Sequence, residues 1–401
     1  MRVILLGFSK KIGGAGIAAK RICDCLIKNN INIFQLFLDN FILTNNNFYL
    51  KFKYLFIIFL SKLIKRFQIS KNFNTHSLNL FGFFNSKYIN KIDGDIVNIL
   101  SINNDVISIK EISKIKKKII WTIIDTWPFC GTEHYTDTNR FIDGYYDYNK
   151  PIDQKGIDID KIIWKKKKFF LKTNNIKVIA TSNWLYNLLK KSKLFKNSPV
   201  YKINCPIDCN IWKPINKNTA REQLGLDKNA KIIIYGGGLS RYRKGFDLLE
   251  SSLLRNLNIK EKIIVLSLGK IDKDYINSKN ILFKNINFQH SVSRQILCHS
   301  AADIVSVPSR FDNMPYFGIE SMACQTPIVT FAVGGCGEML EHMKSGWISK
   351  PFDINDYSKG ISWLLEDNDR LHQLAINARK YIKNNFSYEN FVEEYKKVLI
   401  D

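Results

Sequence analysis

Residues 304–331, IVSVPSRFDNMPYFGIESMACQTPIVTF, carry a complete pattern of strand, helix and strand. The two ends, Ile304–Val307 and Ile328–Phe331, are short runs rich in β-branched residues, and between them a helix is predicted to begin near Phe317. This order is typical of a βαβ unit with parallel strands. The loop before Phe317 should therefore lie at the carboxyl end of a strand, where open parallel sheets bind their ligands.

The same alternation extends along the chain and predicts an α/β fold of two doubly wound parallel-sheet domains. The first series of strand-like runs and amphipathic stretches comprises Val3–Leu6, Ile17–Lys28, Ile96–Leu100, Ile119–Ile124, Val178–Ala180 and Trp184–Lys191. The second comprises Ile232–Tyr235, Phe246–Leu254, Ile263–Leu268, Ile281–Phe283, Ile304–Val307, Ile319–Ala323 and Ile328–Phe331. A polar, proline-containing stretch near 205–220 separates them, which predicts domains at residues 1–205 and 206–385.

Composition limits the class of protein. With 45% hydrophobic residues among 401, the chain can fill sizeable cores and is not disordered. The formal net charge is +24, and residues 1–200 hold 33 basic and 14 acidic residues against 27 and 22 in the remainder. This asymmetry indicates an anionic partner, namely nucleic acid, an acidic membrane surface or a phosphorylated substrate, although a codon bias toward Lys would also raise the charge.

One acid-free segment, residues 51–71, carries much of this basic excess. Six basic residues alternate there with apolar ones, and the candidates for contact with an acceptor or a membrane are Lys53, Lys62, Lys65 and Arg66. A basic helix with a broad apolar side is typical of a membrane interface, whereas the alternative is a core helix with a solvated basic rim. The lysine runs at 114–118 and 165–168 would add to the surface.

The sequence also bears on location. The first residues, MRVILLGF, predict a strand rather than a signal peptide, and the apolar run at 54–60 is far too short to span a bilayer. Eight cysteines without CxxC spacing indicate reduced thiols. We therefore expect a cytoplasmic protein, either soluble or peripheral on a membrane.

A glycine-rich turn follows the first predicted strand. Gly13, Gly14 and Gly16 open a helix, where the missing side chains and the helix N-terminus would admit a phosphate. The spacing differs from the dinucleotide-binding fingerprint, so a tight structural turn is the alternative.

A predicted buried strand delivers Asp125 to its carboxyl end. The following loop, residues 127–135, holds Glu133 and His134 among aromatic residues, a composition suited to sugar contacts. Asp125, Glu133 and His134 are therefore candidates for catalysis, although Asp125 could instead cap a helix.

Glycines and cations end a strand of the second domain. Residues 236–238 are all glycine, and Arg241, Arg243 and Lys244 follow them. A ligand could approach this backbone closely while the cations neutralise a diphosphate. An exposed cationic turn is the alternative.

The loop within 304–331 leads into a helix with two carboxylates eight positions apart, Asp312 and Glu320. The loop amides and the start of the helix can bind phosphate and sugar oxygens, while carboxylates accept hydrogen bonds from pairs of hydroxyls. Carboxylates beside a diphosphate indicate hydroxyl binding, so the predicted ligand is a sugar nucleotide.

Together these motifs resemble family 4 of the retaining glycosyltransferases, which has the GT-B fold of two Rossmann-like domains facing across a cleft. The resemblance is to the branch that builds bacterial surface polysaccharide, including colanic acid and O-antigen. The matching stretches lie in order over nearly the whole length, at 13–16, 121–135, 182–185, 203–214, 221–225, 243–247 and 312–335. The resemblance also implies a final helix, about 386–401, that crosses back to the first domain.

Roles for single residues follow from the same resemblance. Lys244, with Arg241 or Arg243, would hold the donor diphosphate. Glu320 would bind the ribose and Asp312 would grip the donor sugar. The other implied donor contacts are Gly14, Gly16, Gly238, Tyr316, Phe317 and Gly318.

Two positions depart from the family pattern. The first Glu of the family's paired-glutamate motif is Asp312 here, and the His that relatives place just before Asp125 is Ile124. Either Asp125 and His134 take over the contact with the donor sugar, or the enzyme is slow or altered. We hypothesise that Glu133 helps to orient the acceptor.

The expected function is transfer of a hexosyl or N-acetylhexosaminyl group from a nucleotide sugar to a glycan acceptor on a lipid, at the inner face of the cytoplasmic membrane. The product would be a lipopolysaccharide O-antigen, a capsule or an exopolysaccharide. Neither a cofactor nor a metal is expected, because the six histidines are scattered. The alternatives are a sugar-nucleotide-binding protein without transfer activity, motivated by Ile124, and a basic nucleic-acid-binding module, which would explain neither Asp312 nor Glu320.

Overall fold

The computed structural model describes residues 1–45, 47–70, 72, 75–172, 175–237, 241–255, 259, 261–269, 275–276, 281–286 and 291–400. The chain divides into two units. Unit 1 comprises Met1–Cys205 together with Val392–Asp401, and unit 2 comprises Pro206–Phe391. Each unit has its own sheet and its own hydrophobic core.

Unit 1 is organised around a parallel six-stranded sheet in the order β2-β1-β4-β5-β7-β8. Its strands are β1 Val3–Gly7, β2 Ile33–Phe37, β4 Ile96–Ile99, β5 Lys118–Ile123, β7 Ile176–Ala180 and β8 Val200–Lys202, with a separate antiparallel pair, β3 Gln68–Ile69 and β6 Lys155–Gly156. Its helices are α1 Gly13–Lys28, α2 Leu38–Thr44, α3 Phe48–Lys65, α4 Ser86–Lys91, α5 Ile109–Ile112, α6 Arg140–Asp143, α7 Ile159–Leu171 and α8 Asn183–Lys191.

Unit 2 has a seven-stranded sheet in the order β11-β12-β10-β9-β13-β14-β15, parallel except for the edge strand β11. Its strands are β9 Lys231–Gly236, β10 Ile263–Leu268, β11 Tyr275–Ile276, β12 Ile281–Asn285, β13 Ile304–Val307, β14 Ile328–Phe331 and β15 Gly346–Ser349. Its helices are α9 Lys217–Gln223, α10 Arg241–Lys244, α11 Phe246–Arg255, α12 Val292–Ala301, α13 Tyr316–Ala323, α14 Ile354–Leu365 and α15 Asn368–Phe386; α16, Tyr388–Ile400, continues into the last segment of unit 1.

The sequence explains why these strands are central. Every residue of β1, β4, β10, β13 and β14 is buried, as expected for parallel strands covered by helices on both faces. Side-chain caps mark helix starts, since Ser182 accepts a hydrogen bond from the Leu185 amide and Asp367 from that of Arg370. The predicted fold of two doubly wound parallel sheets is confirmed.

Some predicted boundaries move. The polar stretch that we expected to be linker contains the first turn of α9, because the Asn216 side chain caps this helix by accepting from the Thr219 amide. The lysine run at 165–168 was expected on the surface, which is wrong for Lys167: this side chain is fully buried in α7. Among the described helices, none is both long and apolar enough to cross a membrane.

Candidate functional site

Three loops of unit 2 leave the carboxyl edge of the same sheet. Strands β9, β13 and β14 are neighbours and run parallel, so the segments that follow them start side by side. The first carries α10, the second carries Asp312, and the third carries Gly334 and Gly335. This edge is where an open α/β sheet binds its ligands.

Asp312 is the centre of this edge. Its Oδ2 atom accepts from Arg243 Nη1 at 2.8 Å and from Lys244 Nζ at 2.7 Å, and the residue is almost completely buried. Burial acts to raise the pKa of this carboxyl, but the charges of Lys244 and Arg243 outweigh it and the pKa is lowered. Asp312 is therefore ionised and holds both cations in one place.

A second ion pair ties the same loops together. Arg310, on the loop after β13, binds Asp247 of α11 through two hydrogen bonds of 2.8 and 2.5 Å, and its backbone amide donates to the Arg243 carbonyl. Three cations and two carboxylates thus meet here, with a net positive charge. Such an excess suits a bound anion.

Glycines permit the loops to approach this closely. Gly245 has φ +68°, and a Cβ atom there would lie 1.9 Å from the Pro308 carbonyl oxygen. Gly334 has φ +55°, and its Cβ would lie 1.9 Å from the Asp312 carbonyl oxygen. A side chain at either position would separate the loops that hold Asp312.

Glu320 lies on α13, buried beside a histidine. Its Oε2 atom is 3.7 Å from His299 Nε2, while His299 Nδ1 hydrogen-bonds the Ser321 hydroxyl at 2.6 Å. The Phe317 ring packs on His299 with 4.8 Å between ring centroids. His299 therefore packs against Phe317 and lies near Glu320, a proximity that the sequence did not reveal.

A small cavity opens between these groups. Its lining includes Tyr235, Gly236, Lys244, Ser309, Pro315 and Phe317. Lys244 therefore both binds Asp312 and lines this cavity.

Other predicted donor residues are placed differently. The Gly318 amide donates to the Pro315 carbonyl, and a Cβ at this glycine would meet Ile328 at 2.8 Å, so a side chain here would disturb the packing of α13. Tyr316 is buried, while Phe317 is partly exposed. Gly238 and the side chain of Arg241 lie outside the described residues.

In unit 1, Asp125 follows β5 and binds two groups of its own loop. Oδ2 accepts from His134 Nδ1 at 2.6 Å, and Oδ1 accepts from the Trp127 amide at 3.0 Å. The second ring nitrogen of His134 meets the Ser77 hydroxyl at 2.9 Å, and His134 is buried. The buried His134 therefore orients Asp125. Of this pair, only Asp125 reaches the surface, with 14% of its side chain exposed.

A cavity lies beside Asp125 at the carboxyl ends of β4 and β5. Its lining includes Ser101, Asn103, Ile124 and Asp125. Ile124, at the position where the resemblance led us to expect a histidine, thus lines this cavity together with Asp125.

Glu133 is not available to an acceptor, contrary to our expectation. It is buried, its Oε1 atom accepts from the Tyr145 hydroxyl at 2.5 Å, and burial together with the nearby Asp160 charge raises its pKa to about 8. Asp160 in turn accepts from the Thr132 amide at 3.0 Å. Glu133 is therefore an internal, mostly protonated group of unit 1 at neutral pH.

Lys167 binds the backbone of the loop at residues 127–135. Its Nζ atom donates to the carbonyls of Trp127, Cys130 and Gly131, the last two at 3.0 and 2.7 Å, and lies 3.8 Å from the centre of the Trp127 ring. Burial lowers the pKa of this amine to about 7. One lysine thus fixes the loop that carries Asp125 and His134.

The glycine turn of unit 1 is only partly open. Gly14 is exposed at the first turn of α1, with no atom near the place of a side chain, whereas Gly16 is buried against the backbone of Lys11. The Ser9 hydroxyl accepts from the Lys11 amide at 2.9 Å and donates to Asp39 at 2.5 Å. Gly14 is therefore accessible, as is Gly13, and Gly16 shapes the turn.

Lys53 and Lys65 do not project from α3 as free headgroup contacts. Lys53 Nζ donates to the Phe83 carbonyl at 2.9 Å, and Lys65 Nζ donates to the His76 carbonyl at 3.1 Å. Burial lowers the pKa of Lys65. Lys62 and Arg66 are exposed, so two of the four predicted surface cations face solvent.

The two parallel-sheet α/β units match solved proteins of the GT-B class of fold. Sucrose-phosphate synthase from Thermosynechococcus elongatus matches with a TM-score of 0.66 at 15% identity, covering 100% of this chain and 98% of that one. The Anabaena protein HepE, solved in complex with UDP and glucose, matches with a TM-score of 0.63 at 14% identity, covering 100% of both chains. At these identities the likeness establishes the fold alone.

The sequence of unit 2 is similar to known glycosyltransferases. The family model for glycosyl transferases group 1 matches residues 216–381, which lie within unit 2. D-inositol 3-phosphate glycosyltransferase 1 of Catenulispora acidiphila is 26% identical over 200 residues, which are 45% of this chain and 47% of that protein. A glycosyltransferase of Methanocaldococcus jannaschii is 24% identical over 200 residues, or 47% of this chain and 49% of its own. The chain spans about half the length of the curated relatives it matches.

Proposed function

We propose that this protein is a glycosyltransferase that takes a sugar from a nucleotide-sugar donor bound by unit 2. The observation that carries the proposal is the buried Asp312 carboxylate with Arg243 and Lys244 on one oxygen, at the carboxyl edge of the sheet. A diphosphate would take up the positive excess, and Asp312 would then accept hydrogen bonds from sugar hydroxyls. The group 1 family match over the same residues supports this assignment.

The chemistry asked of the chain is charge stabilisation and positioning. As the bond between sugar and diphosphate breaks, negative charge grows on the leaving phosphate oxygen, beside Lys244 and Arg243. Glu320, buried on α13, would bind the ribose and set the register of the nucleotide. We propose retention of configuration by front-side attack without a metal ion, the acceptor hydroxyl passing its proton to the departing phosphate. A chelator should then leave the rate unchanged.

The acceptor part of the proposal rests on unit 1. Its basic surface suits an acceptor that carries phosphate, such as a glycan on a lipid diphosphate, made for a bacterial surface polysaccharide. Either a hexosyl or an N-acetylhexosaminyl donor fits the carboxylate chemistry. The reaction would then take place at the inner face of the cytoplasmic membrane.

Thermal melting with a panel of nucleotide sugars tests the donor assignment, because a ligand that binds only the folded state raises the melting temperature. Lys244→Met should weaken the best donor about 10- to 100-fold, the worth of one charged hydrogen bond. Lys380→Met, a charge change at an exposed position of α15, is the matched control and should leave binding intact. If no nucleotide sugar stabilises the wild-type protein, the proposal is wrong.

Ile124 favours a second candidate, a sugar-nucleotide-binding protein that does not transfer. An apolar side chain lies beside Asp125 where family members have a histidine. Donor binding without donor hydrolysis or transfer to any glycan acceptor would select this candidate. Donor turnover would reject it.

A further inference from the structure

Helix α3 has two apolar faces, and the protein covers only one of them. The inner face packs into the core of unit 1 through Ile57, with Leu50, Tyr54 and Ile64 packed against it. The outer face, here called the α3 stripe, consists of Phe48, Phe52, Leu55, Phe56, Phe59 and Leu63, all exposed. The intervals of three and four residues place these side chains on one side of the helix.

The α3 stripe is large and ordered. Phe48 is 81% exposed, Leu55 65% and Phe59 60%. Phe52 stacks between Phe48 and Phe56, with 6.5 Å between ring centroids in both pairs. Since a whole aromatic side chain presents about 200 Å², the stripe exposes on the order of 700 Å² of apolar surface, more than a typical soluble monomer tolerates without a partner.

The charged residues of the chain segment that contains the stripe all have one sign. Residues 40–92 contain eight basic residues and no acidic one, a gap bounded by Asp39 and Asp93. Lys62 and Arg66 are exposed at the C-terminal end of α3. An apolar face with exposed cations at one end fits a partner that is apolar within and anionic at its surface.

We propose that the α3 stripe is the membrane-contact surface of this protein, and that it inserts into the interface of a bilayer containing anionic phospholipid. The Phe and Leu side chains would lie at the level of the upper acyl chains, with Lys62 and Arg66 at the headgroups. A second copy of the chain fits less well, because a symmetric contact would bring like charges together.

Contacts of α3 with unit 1 determine how the helix lies. Lys53 and Lys65 donate to the carbonyls of Phe83 and His76, and the inner face packs in the core, so the helix stays docked on the protein. Only the outer face is then left for lipid, and the helix lies in the membrane plane. Its 18 residues give a contact about 27 Å long.

The membrane contact rests on the proposed function only for its purpose. Its purpose would be to hold unit 1 where an acceptor on a lipid is found. The vesicle measurement needs no sugar nucleotide, and donor binding needs no vesicle. Vesicle binding without donor binding would therefore overturn the proposed function alone, and the reverse would overturn the membrane surface alone.

Vesicle flotation of the full chain tests the surface. The probes are vesicles of phosphatidylcholine alone and vesicles with about one third phosphatidylglycerol. We expect binding to the anionic vesicles, and a loss of more than about a hundredfold in partition for the double variant Phe52→Ser with Phe56→Ser, because two aromatic side chains leave the acyl region. Phe169→Ser, which removes a 75% exposed aromatic from α7, is the matched control and should bind as the wild type does.

A second pair of substitutions tests the charge. Lys62→Gln with Arg66→Gln should lower binding to the anionic vesicles about 10- to 30-fold and leave binding to phosphatidylcholine unchanged. Melting curves of each variant establish that it is folded. Three results would overturn the proposal: wild-type protein that ignores anionic vesicles, an equal loss with Phe169→Ser, or a wild-type dimer in sedimentation analysis that the Phe52 and Phe56 substitutions convert to monomer.

Discussion

Replacement of Asp312 by Asn keeps the shape of the side chain and removes the charge that holds Arg243 and Lys244. Two charged hydrogen bonds, of 2.8 and 2.7 Å, become weaker neutral contacts. The cations are 22% and 18% exposed and can regain some water, so we expect a fall of about 2–3 kcal/mol in the free energy of unfolding. For a domain of this size this corresponds to a fall of about 4–12 °C in melting temperature.

The pH dependence of stability tests whether this fall in the free energy of unfolding comes from the Asp312 charge. The pKa of Asp312 is lowered in the fold from 3.8, so its contribution to stability is present above that value and is lost as pH falls through the folded pKa. The difference between wild type and Asp312→Asn should therefore narrow below about pH 4. Asp247→Asn breaks an ion pair whose carboxylate is 61% exposed and should cost less than about 1 kcal/mol.

Ligand binding separates the two roles given to Asp312. Without the competing carboxylate, Arg243 and Lys244 should bind a nucleoside diphosphate as well as before or up to about tenfold better. The extra affinity for the sugar nucleotide over the nucleoside diphosphate should disappear. Calorimetric titration of both ligands into both proteins measures this ratio. An equal loss of affinity for the two ligands would refute the assignment of Asp312 to the sugar.

Three further substitutions probe unit 1. Glu133→Gln should raise the free energy of unfolding by roughly 1–3 kcal/mol at pH 8 and change it little at pH 4. The pKa of Glu133 is raised from 4.5 to about 8 in the fold, so the contribution of this carboxyl group to stability is full at low pH and is lost as pH rises to 8. Denaturant titrations at both pH values measure the effect, and an equal effect at both would contradict the protonated state. Lys167→Met should lower the free energy of unfolding by about 2–4 kcal/mol, because three carbonyls lose a buried donor. The control, Lys166→Met on the exposed side of α7, should change it by less than about 0.5 kcal/mol in the same titration. Ile124→His should raise donor turnover if the apolar side chain beside Asp125 limits it, and a turnover assay showing no gain would indicate that Asp125 already meets this need.

The central strands could be predicted from sequence and the edge strands could not. The apolar runs for β10, β13 and β14 have the same bounds as the strands, because both faces of each are buried and every residue must be apolar or small. Strand β2 was missed, since it lies at the sheet edge and three of its five residues are only half-buried. Edge strands give weak hydrophobic patterns for this reason.

The site was predictable where one segment carries its chemistry. The sequence indicated the Asp312 loop and the cations of α10 as two separate motifs. Only the sheet order shows that they meet, since Asp312 binds Lys244. Lys167 was missed although a signal existed: Ile163, Lys167 and Leu171 lie four residues apart, so the lysine occupies the buried stripe of α7. Glu133 gave no such signal, because its partners Tyr145 and Asp160 are distant in sequence.

The last segment of unit 1 has a consequence for how the chain is made. Tyr395 on α16 accepts a hydrogen bond from Asn98 of β4, 297 residues earlier, and both residues are fully buried. On the ribosome, the first 205 residues emerge well before residue 392, a delay of about 10–40 s at roughly 5–20 residues per second. During that interval the nascent chain contains strand β4 with Asn98 but lacks the part of α16 that carries Tyr395. The half of the protein that is translated second is therefore the half that can finish folding first.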